Sequence, residues 1–412
     1  MTKSLDRKLI VGLDIGTSKI VAVVGEVLPD GDINVLGVGN HASRGMDKGG
    51  VNDLDSVAQS VQRAVDEAEV MADCQVSAVY LAISGRHVRC QNESGMVPIN
   101  DAEVSQDDVD AVIHTAKSVQ IPEGRRILHV LPQEFGIDYQ EGIKSPIGMS
   151  GVRLTSSVHL VTCANDMARN IIKCVERCDL RADQLIFSAL ASSYAVLTDD
   201  EKELGVCVVD MGAGTMDMAV YTNGAIRHTA VIPAAGNQVT SDIAKIFRTP
   251  LSHAEEIKTR YACAIKNLVS KEENIEVPSV GGRPSRTMSR HTLAEVVEPR
   301  YQELFELVQE ELRKSGLEEQ IAAGIVLTGG TAQMEGAIQF AEEIFQMPVR
   351  LGVPLPVKGL NDYVADPRFA TAMGLLHYGK DDSAGRRVER ISVGEGVSSL
   401  WSKLQSWFKG HF

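Results

Sequence analysis

Two extended apolar runs, KLIVGLDI and KIVAVVGEV, occupy positions 8 to 27 and are joined by Gly16-Thr17-Ser18, a pattern that predicts strand, tight turn and strand. The pattern then turns helical over about 55 to 72, where Val57, Val61, Ala64, Val65 and Ala68 fall on one face. Positions 76 to 83 read as a strand. Positions 105 to 119 read as a helix with Ser105 as its cap and Val109, Val112, Ile113 and Ala116 on one side. Strand-like runs return over 127 to 137 and 152 to 163, so that 84 to 162 reads as an inserted subdomain.

A helix over 166 to 178 and an apolar stretch of small residues over 185 to 197 lead to a second hairpin, VCVVDMGAGTMDMAVYTNG. It repeats the first in kind, its Asp210 standing 196 residues after Asp14, and adds an acid of its own at Asp217. Two related lobes facing one another is the economical reading. Helical patterns dominate 236 to 317, with Ser252 and Glu255 spaced as a capping box, PSVGGRPSRTMS as a loop, and Pro299 predicting a kink or two helices. GIVLTGGTAQMEG reads as strand, glycine turn and helix start, and ATAMGLLHYG as a further helix; the polar segment 379 to 396 reads as a flexible linker.

Length and composition narrow the class. A chain of 412 residues exceeds what one core serves, and 44% apolar with 23% charged residues is ordinary for a folded protein. The formal charge of −14 sets the molecule against nucleic acid, and any lipid contact has to come from a segment unlike the average. Seven cysteines, an odd number without a Cys-x-x-Cys, fit reduced thiols. The first apolar run is broken too soon to be a signal sequence, and no stretch is apolar for long enough to span a bilayer, so the chain is expected to be neither exported nor transmembrane.

Small residues in a tight turn let backbone N–H groups converge on an anion. Asp14-Ile15-Gly16-Thr17-Ser18-Lys19 provides one such turn and Asp210-Met211-Gly212-Ala213-Gly214-Thr215 another. Each opens with an aspartate at a strand end, where a carboxylate can hold the water shell of a Mg2+ that bridges phosphates. Gly329 and Gly330, with Thr331 after them, form a third close-approach point suited to the face of an adenosine. A GxxxxGK[ST] and a strand-linked GxGxxG are both absent, which disfavours a P-loop or Rossmann site.

The three turns resemble the two phosphate motifs and the adenosine motif of the actin, heat-shock chaperone and sugar kinase superfamily. More narrowly, VVDMGAGTMDMAVY, PSVGGRPSR, TLAEVVEPRY, GIVLTGGTAQMEG and ATAMGLLHYG resemble the FtsA family of bacterial cell-division proteins over nearly the whole chain. Ala213 departs from that family's more usual glycine. The resemblance implies an α/β, actin-like two-lobed fold with two related sheet domains and inserted subdomains, followed by a C-terminal amphipathic helix. The first lobe would comprise 1–83, 163–197 and 361–378, and the second 198–235 and 318–360. Residues 84–162 would form an assembly subdomain, 236–317 a helical subdomain, 379–396 the linker and 397–412 the membrane helix.

The resemblance further implies ATP as cofactor, with Gly236, Asn237, Asp242 and Lys258 near ribose and base. It also implies filaments of the chain itself, other division proteins as partners, and the C-terminal tail of tubulin-like FtsZ docking on the helical subdomain, for which Arg300 is the candidate. Superfamily hydrolases carry a Gln, Glu or Asp just before the second phosphate turn, whereas Phe187 to Ser193 offers none, so hydrolysis is expected to be slow or absent.

At about 100° per residue, Val397, Leu400, Trp401, Leu404, Trp407, Phe408 and Phe412 collect on one arc of a terminal helix, with serines and two lysines opposite. Both tryptophans of the chain lie here, and such rings settle at headgroup level, so this segment is expected to grip the cytoplasmic membrane. One copy would bind moderately and several side by side firmly, which ties attachment to self-assembly. A metabolite kinase of the same fold, or an actin-like component of a pilus machine, is the alternative.

Overall fold

In a computed structural model the described residues are 8–281 and 283–391. Two sheets share a five-strand pattern, to which the first adds Lys358–Gly359 beside Ile33–Ala42. In the first, Leu9–Ile15, Lys19–Val27 and Ile33–Ala42 form an antiparallel meander, and Ala78–Ile83 and then Arg181–Phe187 add in parallel beside Leu9–Ile15. In the second, Val206–Met211, Met216–Thr222 and Ala225–Ile232 form the meander, with Ile325–Thr328 and Val349–Leu351 in parallel beside Val206–Met211. The repeat legible in the two hairpins therefore extends to five strands in each lobe.

The strands beside the parallel neighbours are near-continuous apolar runs because both faces of each sheet are covered. Helix Leu54–Ala72 covers part of the first sheet with Val57, Val61, Ala64, Val65 and Ala68, starting where the Asp53 carboxylate accepts from the backbone N–H of Asp55 and Ser56. Helix Ser188–Val196 is small-residue-rich because it is buried all round, among side chains of both lobes.

A separate antiparallel sheet, in the order Arg89–Pro98, Arg153–Ala164, Arg125–Ile137, Gln140–Ile143, forms the insertion, and helix Gln106–Lys117 packs on it around Val109, Val112, Ile113 and Phe135. Ser105 caps that helix in a reciprocal box with Asp108.

Four local expectations are corrected. No capping box forms at Ser252: helix Leu251–Tyr261 starts after Pro250 without a side-chain cap, and the Glu255 carboxylate accepts instead from Thr240 and Lys258. Pro299 lies inside one continuous helix, Arg290–Ser315, so of the two expected outcomes the division into two helices does not occur. The stretch Arg286–Ser289 is not loop but a strand paired with Asn274–Val277. Helix Ala370–Ile391 runs through the first part of the proposed linker, which therefore begins no earlier than 392. Polarity and glycines signalled coil there, but Gly379 packs against Ile10 and Tyr80 so closely that a methyl would collide with both. Among the described residues no helix is long and apolar enough to cross a membrane.

Candidate nucleotide-binding site

Both hairpin turns close in the same way. The Gly16 N–H donates to the Lys19 carbonyl at 3.0 Å, and the Gly212 N–H to the Thr215 carbonyl at 2.9 Å. Asp14, Gly16, Thr17, Ser18 and Lys19 from the first turn line one cleft together with Asp210, Gly212, Ala213, Gly214 and Thr215 from the second and with Gly329 and Gly330.

Two of these glycines are required by their surroundings. A methyl on Gly214 would lie 2.6 Å from Thr17 Oγ1 and 3.1 Å from the Lys48 backbone, because here the two turns meet. Gly329, at φ +85°, holds a left-handed conformation with its Cα against the Asp210 carboxylate. Ala213 needs no such freedom: it lies outside the positive-φ residues, so its methyl is accommodated.

Gly236, Asn237, Lys258 and Thr331 do not line the cleft; they brace its second turn from behind. The N–H groups of Gly236 and Asn237 donate to the carbonyls of Gly212 (3.2 Å) and Ala213 (2.8 Å), and the Thr331 hydroxyl donates to Gly212 O at 2.7 Å. Lys258 Nζ reaches Gly236 O at 3.3 Å and pairs with Glu255 at 2.7 Å. Asp242 lies outside the lining and is held by Arg300, whose Nε donates to it at 2.6 Å while the guanidinium also contacts Glu303.

Three carboxylates meet at the base of the cleft. Burial raises Asp14 to about 6 against the attraction of Lys19, with Asp210 adding to the rise. Asp210 is likewise raised by burial, although the hydroxyls of Ser192 (2.5 Å) and Thr371 (2.8 Å) donate to its Oδ2. Asp217 is pushed to about 7 by burial, with Ser84 and Thr215 donating to its two oxygens.

Lys19 is the cation among them. Burial lowers its pKa; its ammonium donates to the Arg368 carbonyl and lies 5.0 Å from the centre of the Phe369 ring. Desolvated carboxylates in excess of cations are what a divalent ion would neutralise, so Asp14 and Asp210 fit a Mg2+ held through water.

Sequence reasoning missed Ser84, Thr371 and Arg368 as lining residues, and it saw Asp217 without a use for it. The acid pattern DMGAGTMD was the only available signal for the last. Ser84 and Thr371 come from strand and helix ends far away in the chain. Ser192, in the segment without an acid, supplies a hydroxyl to Asp210 rather than a group to activate water. The predicted lipid-gripping residues Val397, Leu400, Trp401, Leu404, Trp407, Phe408 and Phe412 lie outside the described residues.

Comparison with known proteins agrees with this geometry. The family described as "Cell division protein FtsA" matches residues 207–374, and "SHS2 domain inserted in FTSA" matches 85–162. Cell division protein FtsA of Escherichia coli (strain K12) is 60% identical with full coverage of both chains, and that of Pseudomonas aeruginosa 56% identical over 98% of each. Among solved structures, the PilM-PilN type IV pilus biogenesis complex matches with TM-score 0.65 at 16% identity, covering 90% of this chain and 98% of that one. MreB 5 of Spiroplasma citri bound to AMPPNP matches with TM-score 0.53 at 17% identity, covering 94% and 100%. Those two likenesses fix the fold as actin-like; the full-length identities fix the lineage, and the chain belongs to the FtsA family of cell-division proteins.

Proposed function

We propose that this chain is an ATP-binding, self-assembling adaptor that anchors an FtsZ ring to the cytoplasmic face of the inner membrane and helps recruit other division proteins at the septum. The observation that carries the nucleotide reading is the convergence of three glycine turns and the Asp14 and Asp210 carboxylates on one cleft. The first two turns would take the phosphates, with Thr17, Ser18 and Thr215 as hydroxyl donors, and Gly329 and Gly330 would face the adenosine while Thr331 holds the second turn. Gly236, Asn237 and Lys258 would set the ribose end by fixing the second turn. Mg2+, held by Asp14 and Asp210 through water, would supply the charge that lets a triphosphate enter an acidic pocket.

Slow hydrolysis follows from a site without a Gln, Glu or Asp in Phe187 to Ser193. The division of the chain proposed from its sequence assigns self-association to 84–162 and FtsZ-tail docking to 236–317. Arg300 would serve there by exchanging Asp242 and Glu303 for an acidic tail residue.

Calorimetry with ATP and Mg2+ tests the cleft: one site per chain, lost in Asp210→Asn, is expected, and no detectable heat with the folded protein would end the nucleotide reading. Liposome sedimentation of the intact chain against one ending at Gly396 tests the anchor. Only the intact chain is expected to pellet with anionic vesicles.

A further inference from the structure

The inserted sheet is docked on the second lobe. Asn92 Nδ2 donates to Arg227 O at 3.0 Å, Gln133 Nε2 to Ile226 O at 2.9 Å and Cys90 Sγ to Thr229 O at 2.9 Å, all on the strand Ala225–Ile232. The fully buried His159 joins the same seam. Its Nδ1 lies 2.7 Å from Asn92 Oδ1 and its Nε2 3.0 Å from the Thr229 hydroxyl.

Cys90 is only half-buried here, and a second imidazole faces it: His228 Nδ1 lies 3.9 Å from Sγ, while its Nε2 lies 3.1 Å from Glu311 Oε1. Thiol, imidazole and carboxylate in that order form the arrangement that activates a sulfur nucleophile. The other titratable group acting on the thiol is His159 from its own sheet. Burial alone would raise the Cys90 thiol, but hydrogen bonds and charge from His159 and His228 bring it down to about 5. Five other cysteines are buried, and burial raises each of them. Among the described residues no group of three or more His, Cys, Asp or Glu side chains is arranged to hold a metal, so ligation is not what gathers these groups.

We propose that Cys90 is a modification site for peroxides and other soft electrophiles, with His228 as the positioning residue that Glu311 orients. The thiol proton passes to His228 Nδ1 and the sulfur lone pair attacks one peroxide oxygen. The O–O bond breaks, and the departing hydroxide recovers the proton from His228 as water. Sulfur ends as sulfenic acid and the peroxide is reduced. The product loses the S–H bond to the Thr229 carbonyl and adds an oxygen inside the seam, so oxidation acts on the contact between insertion and second lobe.

The test uses the full-length protein with limiting iodoacetamide from pH 5 to 9, reading each cysteine by peptide mass spectrometry, followed by hydrogen peroxide with a sulfenate trap. Cys90 is expected to react at least tenfold faster than Cys74, the other half-buried cysteine, at pH 6, and to carry the trapped sulfenate. His228→Gln should shift the Cys90 pH profile upward toward an ordinary thiol while leaving Cys74 unchanged, and Glu311→Gln should shift it partway. Equal rates at Cys90 and Cys74 would overturn the proposal, as would a Cys90 profile unmoved in His228→Gln. If His228→Gln does not fold, the Glu311→Gln profile decides in the same sense.

Discussion

Gly214 shows how far a single side chain governs the cleft. It stands where the two phosphate turns touch, and any branched side chain would press on Thr17 Oγ1 and on the Lys48 backbone. Gly214→Val is therefore expected to push the lobes apart and weaken ATP binding at least tenfold by calorimetry, with the circular dichroism of a folded protein retained. An affinity within twofold of the original would show that the turns need not approach. At this scale the sequence was legible where chemistry is local: Asp14, Asp210 and the glycines announced themselves by spacing. Ser84 and Thr371 did not, because a lone hydroxyl at a strand or helix end carries no signal until the fold brings it to a carboxylate.

Among the elements, the helix Gln106–Lys117 was readable because its cap and apolar face agree. Ser105→Ala removes one side of a reciprocal box, costing about 1 kcal/mol, so amide exchange in this helix should speed up roughly fivefold. Ser252 looked equally good in sequence and failed, since Glu255 is drawn to Lys258 and Thr240 by tertiary contacts.

The helix Ala370–Ile391 carries its own pH dependence. His377 presents a buried, unpartnered Nε2, and burial, with Lys380 and Lys202 nearby, lowers it to about 4. Its folded pKa is below the unfolded value, so its neutral form favours folding above the ordinary histidine range and that contribution is lost as pH falls toward 4. Melting temperature should fall over that window, and His377→Leu should flatten the fall; an identical acid limb in both proteins would remove His377 as its source.

For the molecule as a whole, the duplicated five-strand pattern was visible only in its hairpins, because parallel strands such as Ile325–Thr328 join the sheet from more than a hundred residues away. A ligand clasped between lobes stabilises the folded state by mass action, by about 2.7 kcal/mol at a hundredfold excess over Kd. ATP with Mg2+ should accordingly raise the melting temperature by several degrees, and Asp14→Asn with Asp210→Asn should abolish that rise. A rise of equal size in the double variant would separate the metal from those carboxylates.

The ammonium of Lys19 already has hosts, the Arg368 carbonyl and the Phe369 ring, at the root of the helix Ala370–Ile391. An arriving polyanion has to win that charge from the protein's own backbone. Occupancy is thereby registered at the foot of the helix Ala370–Ile391, so a charge taken up in the cleft is a charge given up by that rod.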